Sequence, residues 1–270
     1  MRHLHCLPHL IAAMAILLTQ ACGTMENGRR WGEDVTLKPG WSKVGQSACE
    51  SFLSPMVLGP ASAALLLQIH HADERVSQWA VEHTPTTGST DQAEQLSSTL
   101  RGILLGSFYL SVMATPGGDD PALWFLSKAK GMAVQGSAAA LSNELTFLIK
   151  DAADRGRPDG NDTESFPSGH ASNAAVFTAL ASRNVHAMNI TSVGKTGLDI
   201  ALHTVMFGVA WERVEAGVHY PSDVLAGIAM AYFIGTFIND TFMGIGPLKE
   251  TTPVMGLTPD GYVLGISMRF

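Results

Sequence analysis

The chain has 270 residues, 46% hydrophobic and 15% charged, with a formal net charge of -7 and an isoelectric point near 5.8. That balance excludes a nucleic-acid partner, because no basic face is available to neutralise a phosphate backbone. It leaves room for a local basic pocket that takes one phosphate, on a chain long enough for one large domain or two small ones.

Residues 1–21 read as a signal peptide of the lipoprotein type. Arg2 gives a positive start, and Leu10 to Leu18 is an uncharged apolar run of nine residues, too short to span a bilayer. The sequence Leu18-Thr19-Gln20-Ala21-Cys22 is similar to a bacterial lipoprotein cleavage site. It predicts lipidation at Cys22, a membrane attachment through an N-terminal lipid anchor, and a place in the bacterial envelope, on the periplasmic side of the outer membrane. Ordinary secretion or an uncleaved anchor are the alternatives. Cys6 would leave with the signal and Cys22 would be acylated. Cys49 is then the one thiol left, and no intramolecular disulfide is expected.

Residues 22–50, rich in Gly, Trp and charge, predict a tether or irregular lead-in. Over 51–245 the pattern is helical, with polar breaks at 84–91, 115–120, 154–168, 183–197 and 215–222. Asp91 followed by Glu94 looks like a capping pair. Alternating β-branched residues are scarce, so an all-α helical bundle is expected. The best candidate span, Val224 to Ile238, has 15 uncharged residues ended by Asn239-Asp240 and falls short of the roughly 20 needed to cross a membrane. The expectation is therefore a globular helical core held at the membrane by its N-terminus, with helices partly embedded in lipid as the alternative. In the tail, 246–270, Thr258-Pro259-Asp260-Gly261 signals a turn, and residues 262–270 alternate in polarity. A C-terminal β-hairpin packed against the helices is expected.

Three segments carry candidate chemistry. The first is Lys150, six residues, then Arg157-Pro158; the second is Pro167-Ser168-Gly169-His170; the third is Arg213, five residues, His219, three residues, Asp223. Taken singly, each also reads as ordinary structure: a basic helix end, a capped helix start, a loop histidine before a helix-start aspartate. The conjunction says more. Lys150, Arg157 and Arg213 make an anion clamp, and a helix N-terminus opening at Ser168 and Gly169 adds N–H donors. His170 and His219 supply a proton donor and a nucleophile, and Asp223 is close enough in sequence to reach a ring nitrogen of His219. These are the parts phosphoryl transfer needs. No paired-Asp or His-x-His set accompanies them, so neither a metal nor a cofactor is expected.

The order and spacing of the three segments resemble the signature of the type 2 phosphatidic acid phosphatase family, which includes bacterial acid phosphatases and shares its fold with vanadium haloperoxidases. The resemblance implies an all-α bundle of the acid phosphatase/vanadium haloperoxidase type over 51–245, acting as a metal-independent phosphatase. Lys150, Arg157, Ser168, Gly169 and Arg213 would hold the phosphate oxygens. His219 would attack phosphorus and form a phosphohistidine, His170 would protonate the leaving oxygen, and Asp223 would orient His219. Vanadate would inhibit.

One position departs from the family pattern: Glu212 stands where a Ser usually precedes the third-segment Arg. A carboxylate there repels phosphate unless it points away or pairs with Arg155 or another cation. The expected substrates are phosphate monoesters or pyrophosphates, of membrane lipids or small molecules. Vanadium-dependent haloperoxidase chemistry and a catalytically weak envelope lipoprotein are the alternatives.

Overall fold

The structure, a computed structural model, describes residues 21–244 and the backbone of 251–258 and 261–268. Eight α-helices follow one another: α1 (Trp41–Phe52), α2 (Pro55–Leu66), α3 (Ala72–His83, entered through a 3₁₀ turn at Ile69–His71), α4 (Thr90–Ala114), α5 (Pro121–Ala153), α6 (Gly169–Ala187), α7 (Ser192–Glu215) and α8 (Pro221–Phe242). The backbone of β1 (Thr251–Thr258) pairs antiparallel with β2 (Gly261–Met268), from Thr251 opposite Met268 to Thr258 opposite Gly261. The expected packing of this tail on the helices lies outside the described residues, as does the expected signal segment apart from Ala21.

Short polar side chains start the helices. Ser54 accepts from the Met56 N–H at 3.3 Å, and Asp120 accepts from Ala122 and Leu123 at 2.9 Å. Thr191 accepts from Gly194 at 3.2 Å, and Pro55, Pro121 and Pro221 occupy first-turn positions that need no N–H. At α4 the cap is Ser89, accepting from Gln92 at 3.3 Å, rather than the expected Asp91–Glu94 pair. Glu94 is turned to another use, described below.

The centre of the bundle is α6, whose buried positions include many small side chains, among them Ala171, Ala174, Ala175, Ala179 and Ala181. Small side chains let neighbouring backbones approach closely. The tightest approach is to α8. A Cβ at Gly227 would lie 2.8 Å from Ser172 Oγ and 3.0 Å from the Ser168 carbonyl. One position therefore fixes how close α8 comes to the start of α6.

Polarity is distributed inside out. Gln135 on α5 donates to Asn184 on α6 at 2.8 Å and to Asn239 on α8 at 2.9 Å, deep in the bundle. Phe125, Phe147 and Leu148 on α5, Ile200 and Phe207 on α7, and Leu105 and Leu110 on α4 all face outward. So many large apolar side chains on an outer surface are costly in water and favourable in lipid. Helices α4 and α8 are long and apolar enough to cross a membrane, and α1 with α2, bent by 51° at their junction, would make a third crossing.

This corrects the expectation of a globular core tethered by lipid on Cys22 at the outer membrane. Internal helices have the length and apolar composition of membrane-crossing elements, and by these the chain reads as an integral multi-pass membrane protein. The apolar run on α8 was undercounted because Ser222, Asp223, Asn239 and Asp240 break it in sequence; the helix itself runs 22 residues. The backbone around Cys22 is, moreover, seated on the α4–α5 turn. The Gly117 N–H donates to the Ala21 carbonyl at 2.9 Å, Gly118 to Gly23 at 2.7 Å, and Gly23 to Asp119 Oδ1 at 3.0 Å. Within the expected lead-in, Trp31 is 1% exposed, with its ring against Gly131 and the Lys128 ammonium 5.1 Å from its centroid.

Candidate active site

Two pairs of helix ends build the site. The first is the end of α5, the loop 154–168 and the start of α6; the second is the end of α7, the loop 216–220 and the start of α8. Loop 154–168 is knitted to itself: Arg157 N–H donates to Asp162 O at 3.0 Å and Ser165 N–H to Arg155 O at 3.0 Å. The Phe166–Pro167 peptide is cis. Ser168 then caps α6, accepting from Ala171 at 3.5 Å, and its own N–H donates to the Asp223 carbonyl at 3.0 Å. Ser168 is wholly buried, so its hydroxyl serves the helix start.

His219 is 2% exposed, and its Nδ1 lies 2.7 Å from the Ser165 carbonyl. A carbonyl accepts only, so Nδ1 carries the proton and Nε2 keeps its lone pair. Burial holds the ring well below the ordinary histidine pKa, and the cations Arg213, Lys150 and Arg157 depress it further. His219 is therefore a neutral imidazole with one unprotonated nitrogen, in the field of the three cations singled out in the sequence. His170, on the first turn of α6, is lowered to about 4, by burial and then by Arg213, Arg101, Arg157 and Lys150. The two histidines thus share one cationic environment.

Each of those cations has its own tie. Lys150 donates to the Glu164 carbonyl, and a Cβ on Gly169 would stand 3.9 Å from Lys150 Cε, which places the lysine beside the α6 N-terminus. Its pKa is lowered by burial and by Arg157. Arg157 Nε donates to Asp162 at 2.6 Å. Arg213 is 4% exposed; its Nη1 lies 3.5 Å from Glu94 and 3.4 Å from Ser97, both on α4, and its buried Nε has no hydrogen-bond partner among the described residues.

Asp223 is placed differently from expectation. Its carboxylate accepts from Ser165 Oγ at 2.6 Å, from Arg155 Nη1 at 2.5 Å and from the Tyr220 N–H at 2.8 Å. The described hydrogen bonds include none between Asp223 and the His219 ring. Asp223 holds Ser165, and Ser165 holds His219.

Four contributors, Asp73, Arg155, Ser165 and Ser222, were not singled out in the sequence. Arg155 bridges Asp223 to Asp73 of α3, donating to Asp73 Oδ2 at 2.8 Å and to Ser222 Oγ at 2.9 Å, with its guanidinium 4.4 Å from the Tyr220 ring centroid. Ser222 N–H donates to Asp73 Oδ1 at 2.8 Å, closing the clasp. Asp73 has no sequence signal, since it stands 82 residues before Arg155. Arg155 lies inside the first segment, Ser165 just before the second and Ser222 inside the third, but nothing in their spacing distinguishes them.

Glu212 pairs with neither Arg155 nor any other cation among the described ion pairs. It is 2% exposed, one carboxylate oxygen is buried without a partner, and burial followed by the Glu215 charge raises its pKa to about 7. Glu215 is fully committed: Thr86 N–H at 3.2 Å, Thr87 N–H at 2.9 Å and Trp211 Nε1 at 2.9 Å all donate to it.

Among the described residues, no group of three or more His, Cys, Asp or Glu is placed to hold a metal ion. The charge available to an anion comes from Lys150, Arg157 and Arg213.

Residues 131–244 match the PAP2 superfamily. Decaprenylphosphoryl-5-phosphoribose phosphatases of Mycobacterium tuberculosis, strains CDC 1551 / Oshkosh and ATCC 25618 / H37Rv, are each 32% identical over 115 residues. The match covers 39% of this chain and 58% of theirs, so the chain spans less than two thirds of those relatives' length. A transmembrane PAP2-type phosphatidylglycerolphosphate phosphatase from Bacillus subtilis has a similar fold, with a TM-score of 0.55 at 22% identity, covering 75% of this chain and 98% of that one. The matched stretch, 131–244, contains all three segments and both histidines.

Proposed function

We propose that this protein is a phosphatase that hydrolyses phosphate monoesters or diphosphates of membrane lipids through a phosphohistidine on His219. The observation that carries the reading is the 2.7 Å contact between His219 Nδ1 and the Ser165 carbonyl, inside the field of three cations. It leaves Nε2 unprotonated and aimed by a fixed ring, which is what a nucleophilic imidazole needs.

Lys150, Arg157 and Arg213, with the N–H groups at Gly169, hold the non-bridging oxygens and balance their charge. His219 Nε2 forms a bond to phosphorus as the P–O bond to the leaving group breaks. The electron pair stays on the leaving oxygen, which takes a proton from His170. A bound phosphate offsets the cations that keep His170 neutral in the empty site, so the ligand itself restores the proton needed. In the second half, His170 takes a proton from water, water oxygen bonds to phosphorus, and the P–N bond breaks to return neutral His219 and phosphate. The outward apolar faces of α4, α5 and α7 set the site in a lipid environment, which favours lipid phosphates as substrates. The named relatives, phosphatases of a decaprenylphosphoryl sugar phosphate and of phosphatidylglycerolphosphate, agree with that class.

The test is phosphate release from lipid phosphates by the detergent-solubilised protein in EDTA, with acid-labile, base-stable ³²P trapping on the chain. His219→Ala should abolish both. Trapping that survives the substitution rejects the mechanism.

A further inference from the structure

Helix α4 supplies one wall of the site, and none of its residues belongs to the three segments. Glu94, Ser97, Ser98 and Arg101 lie on one face, at the three- and four-residue spacings of neighbouring turns. Glu94 and Ser97 reach Arg213 at 3.5 and 3.4 Å. Ser98 Oγ lies 3.4 Å from His170 Nε2. Arg101 follows Ser98 by one turn, on the same helix face that meets His170.

The charges there do not balance. Arg157 has Asp162, and Arg213 has Glu94. Arg155 has two aspartates. Arg101 has no carboxylate partner among the described ion pairs, although it lies half-buried inside a helix long and apolar enough to cross a membrane. A cation in that position is expensive unless it faces a cavity or a ligand. Its charged neighbours across the site are cations too: Arg101 acts on both His170 and Arg213. The cations that weigh most on His219 are Arg213, Lys150 and Arg157 instead. Arg101 thus shares the α4 face that meets the proposed proton donor through Ser98, the side from which a leaving group would depart if His219 attacks.

We propose that Arg101 is a specificity-determining residue that binds an anionic leaving group, one bearing a second phosphoryl group within a few atoms of the scissile oxygen. The proposal rests on the phosphatase reading above. In a lipid diphosphate the departing group is a lipid monophosphate, and its charge faces Arg101 while the terminal phosphoryl group passes to His219. A neutral departing alcohol makes no such contact.

Two substrate pairs test it, and they separate the two sources of the same chemistry: farnesyl diphosphate with farnesyl monophosphate, and phosphatidylglycerol phosphate with phosphatidic acid. In Arg101→Gln the ratio of kcat/KM, anionic over neutral leaving group, should fall at least about tenfold, the order expected for one lost charge-assisted contact. Arg101→Lys should recover part of it. A ratio that stays constant, whether both activities fall together or neither falls, overturns the proposal.

A measurement on the unaltered protein removes dependence on how the variants fold. Methylenediphosphonate should bind more tightly than methylphosphonate by about tenfold or more, and equal affinities overturn the proposal. Failure of the phosphatase reading is recognised separately, because the unaltered protein would then hydrolyse none of the four substrates.

Discussion

The backbone carbonyl of Ser165 lies 2.7 Å from Nδ1 of His219 and fixes that ring in a buried site. The side chain of Ser165 points the other way, to Asp223 Oδ2 at 2.6 Å. One residue therefore connects the carboxylate to the imidazole, which supports a positioning role for Asp223 exerted through Ser165.

Asp223→Asn should lower kcat by about tenfold to a hundredfold with a small change in KM, the scale of a slightly misplaced group. Ser165→Ala, which keeps the carbonyl but removes the link, should give a smaller loss in the same parameter. Steady-state kinetics on one lipid phosphate compares the two. A direct carboxylate–imidazole contact would instead make Ser165→Ala neutral.

His170→Ala should cost about a hundredfold to ten-thousandfold in the first chemical step, the usual yield of general acid catalysis. The cost should shrink as the leaving group improves. A nitrophenyl phosphate should lose much less than an alkyl phosphate, and a plot of log kcat against leaving-group pKa should steepen in the variant. Equal losses across the series would remove His170 from the proton-donor role.

Anion binding should be coupled to proton uptake. In the empty site His170 is held neutral, with its pKa lowered to about 4 by burial and by neighbouring cations. A bound anion offsets those cations and raises the His170 pKa, so the complex takes up a proton. Sulfate, whose charge is constant from pH 5 to 8, should bind more tightly as pH falls, and His170→Ala should flatten the dependence. Competitive inhibition measured across that range reads the slope.

Glu212 makes a prediction about stability. Its folded pKa, about 7, stands above the ordinary carboxylate value. The unfolded chain ionises first as pH rises, so this group progressively disfavours folding between roughly pH 4.5 and pH 7, with the penalty constant above that. Glu212→Gln removes the titration. Its Tm should exceed that of the unaltered protein at pH 8, and the difference should close by pH 5. A difference independent of pH would mean that Glu212 stays neutral or finds a partner.

Much of the catalytic face was legible in sequence because its residues sit in short segments whose internal spacing is set by helix ends. Lys150, Arg157, His170, Arg213 and His219 are of this kind, and they act on one another in the fold. Asp73 and Arg101 were not legible. They reach the site from α3 and α4 by tertiary packing, and a lone acid or a lone Arg in a helix has many ordinary explanations. Asp223 was legible as a member but not in its contacts, because four residues of separation do not settle which acceptor a carboxylate faces. The membrane character was missed because buried polar residues such as Gln135, Asn184 and Asn239 interrupt the apolar runs in sequence, while in space they turn inward and leave an apolar exterior.

The clasp of Asp73, Arg155, Ser222 and Asp223 has a consequence for biosynthesis. Its members are separated by up to 149 residues, counting from Asp73 to Ser222. A nascent chain that has placed Lys150, Arg157 and His170 still lacks His219, the proposed nucleophile, and Arg155 then has only Asp73 to hold it. The clasp closes when α8 docks, bringing Ser222 and Asp223 to Asp73 and Arg155 with His219 just ahead of the helix. On the phosphatase reading, closing the clasp and completing the site are one event.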